Sequence, residues 1–245
     1  MEIIRVWDLI KDIFGNTILH PQFFMIRGEA QSVKTTLPKL RGKVLDVGCG
    51  RQLLRESIQK SGCTYIGLDH PTVYKRQRGE ILPDILADIE SIPLKDMSID
   101  SVLLFMVIEH APHPLAALKE INRVLKKNGQ VFMNTTENYP GHDLPNDYFR
   151  FRMAGLISLC KEAGFKVVKK FSWGSTFQSS ALNLNVFLLQ EVKKLSIKVG
   201  VPATIALLII FYPLMLLSNV LAYTLSAFDT VHSLRIGNFV VVKKV

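Results

Sequence analysis

Hydrophobic and polar positions in this chain follow two alternating periods. Short β-rich runs, KVLDV (43–47), CTYIGLD (63–69), DILADI (84–89), DSVLLFMV (100–107) and QVFMNTT (130–136), are separated by stretches with helical spacing, LLRESIQKSG (53–62) and LAALKEINRVLKKNG (115–129). In the latter, Leu115, Leu118, Ile121, Val124 and Leu125 share one face. Gly129, following Lys126, Lys127 and Asn128, is the expected helix stop, because cations suit the terminal carbonyls and glycine accepts a left-handed backbone. MAGLISLCKEAG (153–164) reads as a further helix, and FKVVKKFSWG (165–174) and GNFVVVKKV (237–245) read as strands. Strands alternating with helices predict an α/β fold with a parallel sheet covered on both faces.

Two segments depart from this rhythm. At the start, Ile3, Trp7, Ile10 and Phe14 fall at helical spacing among Glu2, Arg5, Asp8, Lys11 and Asp12, which predicts an amphipathic helix packed on the domain, a membrane-surface or lid helix being the rival. The interspersed charges do not make the unbroken apolar stretch of an export signal. Between the last two strands lies an insertion, 175–237, far longer than a hairpin loop normally needs. Within it, Val199 to Phe228 carries no charged side chain.

Composition sharpens the picture in three places. The chain has 245 residues, 48% of them hydrophobic and 21% charged, so it is a packed protein and not a disordered or collagen-like one. Its mean hydropathy of +0.22 is concentrated in the insertion. Cys49, Cys63 and Cys160 lack the close pairing or histidine spacing of a structural zinc site, and suggest a reducing compartment. The net charge of +9 suits nucleic acid or an anionic membrane equally well.

VLDVGCGRQ stands where the first strand meets the first helix, at the sheet edge where ligands of doubly wound folds bind. Gly48 and Gly50 allow a sharp turn and close approach to a ligand. Leu53 occupies the place of the third glycine of a dinucleotide fingerprint, and no Walker sequence is present. Two acids remain: Asp46 before the turn, and Asp69 ending the next strand, 21 residues beyond Gly48, about the offset at which a carboxylate grips ribose hydroxyls. This pattern suits an unphosphorylated nucleoside.

From about residue 42 to 170 the chain resembles class I S-adenosylmethionine-dependent methyltransferases: VLDVGCG, YIGLD, ADIESIPLKDMSIDSVLL, IEH and LKEINRVLKKNGQVFM occur in that family's order and spacing. The resemblance implies a Rossmann-like doubly wound sheet of seven strands, mostly parallel, with FVVVKKV as an antiparallel seventh. It implies S-adenosyl-L-methionine as cofactor, with Asp46, Gly48, Cys49 and Gly50 holding the methionine part. Asp69 would take the ribose hydroxyls, Asp88 and the backbone at Ile89 the adenine, and Phe105 would lie near the sulfonium; His70, next to Asp69, would also border the cofactor. Gln52 departs from a frequent third glycine. The implied division is an N-terminal helical cap (1–41), a core (42–174), the insertion (175–237) and a final strand (238–245).

Methyl transfer from a sulfonium requires neither a metal nor a covalent nucleophile, but a hydroxyl or acidic carbon acceptor gains from a general base. His110, just after the fourth strand, is the first candidate; His142 and Asp147, in NYPGHDLPNDYFRF (138–151), are the others. For each the alternative is a role in holding a loop. That loop resembles an HDxPxDYFRF pattern in a subgroup of these methyltransferases. The motif of base amino-methyltransferases is absent where FMVIEHAPH stands, so no nucleic-acid partner is expected, and Lys75, Arg76 and Arg78 read as a solvated loop. Pro213 divides the uncharged run, and a hairpin kinked there, entering one leaflet beside Lys193, Lys194 and Lys198, would keep both ends on one side of the membrane. The expectation is an enzyme on the cytoplasmic face of a membrane, methylating a lipid-like or lipid-linked acceptor such as a quinone, a polyprenol-linked glycan or a glycolipid. The alternatives are a soluble sugar or small-metabolite acceptor, an inactive cofactor-binding scaffold, or an insertion that is buried or forms a homodimer interface.

Overall fold

The structure is a computed structural model that describes residues 15, 17–72 and 81–245, with the backbone alone over 196–204. Ile3, Trp7, Ile10 and Phe14, and the basic residues Lys75, Arg76 and Arg78, lie outside the described residues. Contacts group the described residues into two compact units: those within 31–137, 142–172 and 238–245 form one, and those within 15–30, 138–141 and 173–237 the other.

Helix α1 (Phe23–Thr36) leads into the first unit, which holds the sheet. The strands are β1 (Lys43–Val47), β2 (Thr64–Asp69), β3 (Ile85–Leu86), β4 (Ile99–Phe105), β5 (Leu125–Thr136), β6 (Phe165–Trp173) and β7 (Gly237–Lys244). Their order is β3-β2-β1-β4-β5-β7-β6. β1 pairs in parallel with β2 on one side, Asp46 beside Gly67, and with β4 on the other, Val47 beside Leu104. The chain therefore reverses direction across the sheet at β1, which opens a crevice at the carboxyl ends of the strands. β7 runs against β5: Lys244 donates to the carbonyl of Leu125 (2.8 Å), where β5 starts, and Asn238 donates to Glu137 (2.8 Å), just past its end. The expected seven-stranded, mostly parallel sheet is thus present.

Helices α2 (Arg55–Lys60), α3 (Pro114–Val124) and α4 (Met153–Glu162) connect the strands. Leu118, Ile121 and Val124 of α3, Leu156 of α4, and Leu45, Leu104, Val131 and Val240 of the sheet are buried without measurable exposure in one core. Two boundaries differ from the pattern reading. Leu125 has left the helix: its backbone is extended (φ −77°, ψ 135°) and it pairs with Ile99 as the first residue of β5. The left-handed residue of the turn is Asn128 (φ +66°), while Gly129 is required for another reason, since a Cβ there would stand 2.7 Å from Leu125 Cγ. β3 is also shorter than DILADI, because Ala87 to Ile89 turn away to wall the crevice.

The second unit is built on α5, which is helical from Thr176 to Leu225. Ser175 caps it, accepting the Gln178 N–H (3.2 Å) while the Gln178 side chain accepts the Ser175 N–H (3.3 Å). A straight helix would separate residues 34 apart by about 51 Å. Yet Asn185 Nδ2 donates to Asn219 Oδ1 (3.0 Å), and Ser218 Oγ donates to Asn185 Oδ1 (2.7 Å). Thr176 N–H likewise donates to Asp229 Oδ2 (2.6 Å). The helical run therefore folds back on itself, and these pairs centre the reversal near residues 201–202. This corrects the expected kink at Pro213, which lies inside the second limb: the pairing register, set by buried asparagines on both limbs, decides the turn. The uncharged run is one limb of the hairpin with its turn, and the lysines belong to the other limb.

The two buried asparagines also fix the segment before α1. Asn185 Nδ2 donates to the Pro21 carbonyl (3.0 Å), and Asn219 Nδ2 donates to the carbonyls of Ile18 and His20 (2.9 Å each). Buried amides so fully bonded are stabilising only as a set, because loss of one leaves its partners unsatisfied. The outer surfaces of the limbs are apolar: Phe187, Ile209, Ile210, Leu214 and Leu217 are all more than half exposed. Ile205–Phe228, with a mean hydropathy of 2.3, is long and apolar enough to cross a membrane, and only 17% of its most apolar window is buried.

Candidate active site

β1 ends in the turn predicted from VLDVGCG. Gly48 (φ +68°) and Gly50 (φ +48°) are both left-handed, and a Cβ on Gly48 would stand 2.3 Å from Val107 Cγ2. The Gly48 and Cys49 N–H groups donate to the Leu68 carbonyl (2.8 and 3.1 Å), and the Gly50 N–H donates to Asp69 Oδ2 (2.9 Å). The departure at Gln52 is accommodated in the backbone, for Gln52 also takes a left-handed conformation (φ +53°). Its buried side chain accepts from Arg55 Nε (2.7 Å) and donates to the Leu82 carbonyl (3.0 Å), so it anchors the turn that a glycine would only permit.

Asp69 accepts the His70 N–H on its other oxygen (2.7 Å) and lines the crevice while remaining 6% exposed. Gly48, His70, Asp88 and Ile89 line the same wall. Asp88 Oδ1 also accepts the Glu90 N–H (2.8 Å), so this acid shapes its own turn as well as facing the crevice. Asp46, Cys49, Gly50 and Phe105 are not on the wall. Asp46 is buried below the turn, where it accepts from the Tyr65 hydroxyl (2.7 Å); burial raises its pKa to about 6, with Tyr65 opposing and the nearby Asp69 adding to the rise. Burial, with the Asp46 charge adding, pushes the Cys49 thiol up to about 12, so Cys49 is an inert packing residue. Met106 occupies the place expected of Phe105: its N–H donates to both the carbonyl (3.1 Å) and the side-chain oxygen (3.0 Å) of Asn134, turning it into the crevice at φ +57°.

The opposite wall comes from the turn after β4 and the loop after β5, including His110, Asp143, Asn146 and Tyr148. The predicted histidines meet there, with the His110 and His142 rings edge to face at 4.9 Å. His110 Nδ1 is 2.6 Å from the Asn146 carbonyl, which fixes the ring with Nδ1 protonated. Asp147 has a different position from that expected of a base. It forms a two-pronged pair with Arg150 (Nη2 to Oδ2, 2.8 Å) and accepts the His142 N–H (2.9 Å). The Arg150 hydrogen bond holds its pKa down to about 2, so Asp147 is a poor proton acceptor and a good brace for the loop.

Sequence reading missed Glu109. Its side chain is fully buried between Ile108 and His110, where it accepts from Thr135 Oγ1 (2.9 Å) and the Thr136 N–H (3.3 Å). Its carbonyl accepts the N–H groups of Tyr148 and Phe149 (3.1 Å each), so one residue ties the β4 turn, the end of β5 and the histidine loop together. Burial raises its pKa. The only sequence signal was a charged residue inside IEH.

Residues 45–133 match the family model described as a methyltransferase domain. This region of the chain is a methyltransferase domain. Among curated relatives, the ubiquinone biosynthesis O-methyltransferase of Vibrio parahaemolyticus is 36% identical over 101 residues, 38% of this chain and 43% of that protein. The enzyme of the same name from Pseudomonas aeruginosa is 29% identical over 107 residues, and the match spans 46% of its length. The chain thus spans less than half the length of the curated relatives it matches. The sheet and its helices superpose on a SAM-dependent methyltransferase from Archaeoglobus fulgidus with a TM-score of 0.56, at 16% identity, over 97% of this chain and 99% of that one.

The methyltransferase crevice fits S-adenosylmethionine on its own chemistry. Its described lining offers the carboxylates of Asp69, Asp88 and Asp143 and no Lys or Arg, which favours a cationic ligand without phosphates. The glycine turn leaves backbone space beside β1, and Asp69, held by two backbone N–H groups, keeps lone pairs for hydroxyl donors.

Proposed function

We propose that this chain transfers the methyl group of S-adenosylmethionine to an oxygen of a lipid-like acceptor, a quinone precursor being the class that the names of the curated relatives favour. The observation that carries the reading is the crevice at the β1 reversal, with Asp69 at the tip of β2 and the histidine loop facing it. Bound S-adenosylmethionine supplies a methyl on a positively charged sulfur, a good leaving group for in-line displacement. Asp69 accepts from the ribose hydroxyls, Asp88 and the backbone at Ile89 border the adenine, and the turn at Gly48 faces the methionine part. His110 Nε2, with Nδ1 committed to Asn146, carries the lone pair that receives the acceptor's proton. Glu109 and Asp147 position the loop that carries these groups. Alignment of acceptor and methyl can account for up to about 7–11 kcal/mol of the barrier reduction.

The membrane part of the proposal rests on the second unit. Its hairpin exposes apolar side chains on both limbs, with Lys193 and Lys194 beside them on the first. This suits a monotopic attachment to an anionic cytoplasmic surface, from which a lipid-soluble acceptor is drawn. Purified protein given labelled methyl donor and a total membrane lipid extract is expected to place label in the organic phase. Label confined to water-soluble products would point instead to a soluble acceptor.

A pH dependence follows from Asp46. Its folded pKa of about 6 lies above the ordinary 3.8, so the folded protein holds an extra proton, and this contribution to stability is lost as pH rises from about 4 through 6. A cationic ligand favours the ionised form. Cofactor affinity is therefore expected to fall below pH 6 by up to about tenfold per unit and to level off above pH 7, as read by calorimetric titration. A flat profile between pH 5 and 7 would remove Asp46 from the binding account.

A further inference from the structure

We propose that His110, His142 and Asp143 form a binding site for a transition-metal dication on the acceptor wall of the crevice. The proposal rests on the methyl-transfer reading for its role, but not for its existence. One donor atom from each of the three residues lies within 4.8 Å of the other two, and His110 and Asp143 both line the crevice. Bonds of about 2.0–2.2 Å place the donors of a tetrahedral site roughly 3.3–3.5 Å apart, so closure asks for side-chain movements of the order of 1 Å. Asp143 has a left-handed backbone (φ +54°) and an exposed side chain.

The surroundings of the two imidazoles supply a second, independent reason. Ligating histidines are oriented by an acceptor on the ring nitrogen that does not bind the metal. Behind His110 that acceptor is the Asn146 carbonyl, 2.6 Å from Nδ1, which leaves Nε2 as the ligand atom. Behind His142 stands Asp147, its Oδ2 3.7 Å from Nδ1. Arg150 Nη2 lies 3.3 Å from the same nitrogen and, as a donor, favours the Nε2-protonated form of His142 in the absence of metal. Ligation through Nε2 would move that proton to Nδ1, where it displaces the Arg150 hydrogen bond and turns the N–H toward Asp147 Oδ2, 3.7 Å away, while Arg150 keeps its pair with the same carboxylate.

Two imidazoles and one carboxylate select Zn²⁺, Co²⁺, Fe²⁺ or Mn²⁺ over Mg²⁺ or Ca²⁺, which prefer all-oxygen shells. Three protein ligands leave a coordination position open, the pattern of a catalytic site and not a structural one. With metal bound, His110 Nε2 is a ligand and no longer the base: the acceptor hydroxyl oxygen takes the open position, and the metal lowers the pKa of its O–H so that the proton passes to water. The oxygen then forms the new O–C bond as the C–S bond breaks, with the departing electron pair remaining on sulfur.

The test uses the untagged, full-length protein, stripped with chelator and titrated with CoCl₂ by equilibrium dialysis and visible absorption. One equivalent is expected to bind and to develop ligand-field bands. His142→Ala and Asp143→Asn are each expected to weaken binding at least about tenfold, since even outer-shell changes cost about 10–100-fold. His113→Ala, an exposed histidine outside the cluster, should leave binding unchanged. Absence of saturable binding, or parental affinity in both ligand variants, would overturn the site. S-adenosylmethionine titrated into the same samples reports separately on the methyl-donor reading, so failure of one is distinguishable from failure of the other.

Discussion

Asp69→Ala is expected to weaken S-adenosylmethionine binding by at least about a hundredfold while the fold survives. The buried carboxylate offers two charge-assisted hydrogen bonds to a ribose, each worth about 1.5–3 kcal/mol, and every 1.4 kcal/mol is tenfold in affinity. Its structural bonds, from the Gly50 and His70 N–H groups, are local to the turn. Their loss should lower the melting temperature by only a few degrees. Asp69→Asn, which keeps an acceptor oxygen but not the charge, should fall between the parent and Asp69→Ala. Calorimetric titration alongside thermal unfolding separates the two effects. Retained affinity in a folded Asp69→Ala protein would contradict the ribose assignment.

The second large effect concerns the hairpin. Removing Val199 to Phe228 would delete a limb and strip Asn185 of its Asn219 and Ser218 partners, so loss of membrane binding in such a deletion would be confounded by unfolding. Ile209, Ile210 and Leu217 offer a cleaner test, being 69%, 60% and 53% exposed. Exchange of all three for serine should change stability little, because exposed positions of this kind usually fall within about 0.5 kcal/mol. In a membrane each would contribute roughly 1 kcal/mol, about half the value of a fully buried aliphatic side chain. The triple variant is therefore expected to lose about a hundredfold in partitioning to anionic lipid vesicles, measured by flotation. Undiminished flotation would remove the outer hairpin surface from the membrane account.

The sequence carried the catalytic scaffold further than it carried the insertion. Local rules decide the β1 turn: Gly48 must be glycine because of both its backbone angle and the approach of Val107, and Asp69 follows at a set offset. The strands and most helices were legible for the same reason, since one face of each meets a common core. What escaped depends on partners distant in sequence. Asn134 turns Met106, and not Phe105, toward the crevice. Arg150 makes Asp147 a brace in place of a base. Glu109 looked like one more polar residue because its partners, Thr135 and Thr136, belong to another strand. In the hairpin, proline suggested the break, but the pairing of Asn185 with Asn219 sets the register. An uncharged run shows that apolar surface exists, and only the folded chain shows which side chains remain outside.

The most direct measurement is a crystal structure with S-adenosylhomocysteine, the spent donor. The ribose hydroxyls are expected within about 3 Å of the Asp69 carboxylate, with the adenine beside Asp88 and Ile89 and the thioether facing Met106 and His110. A saturated crystal in which the ligand sits elsewhere, or in which side chains fill the space between Gly48 and Asp69, would contradict the account.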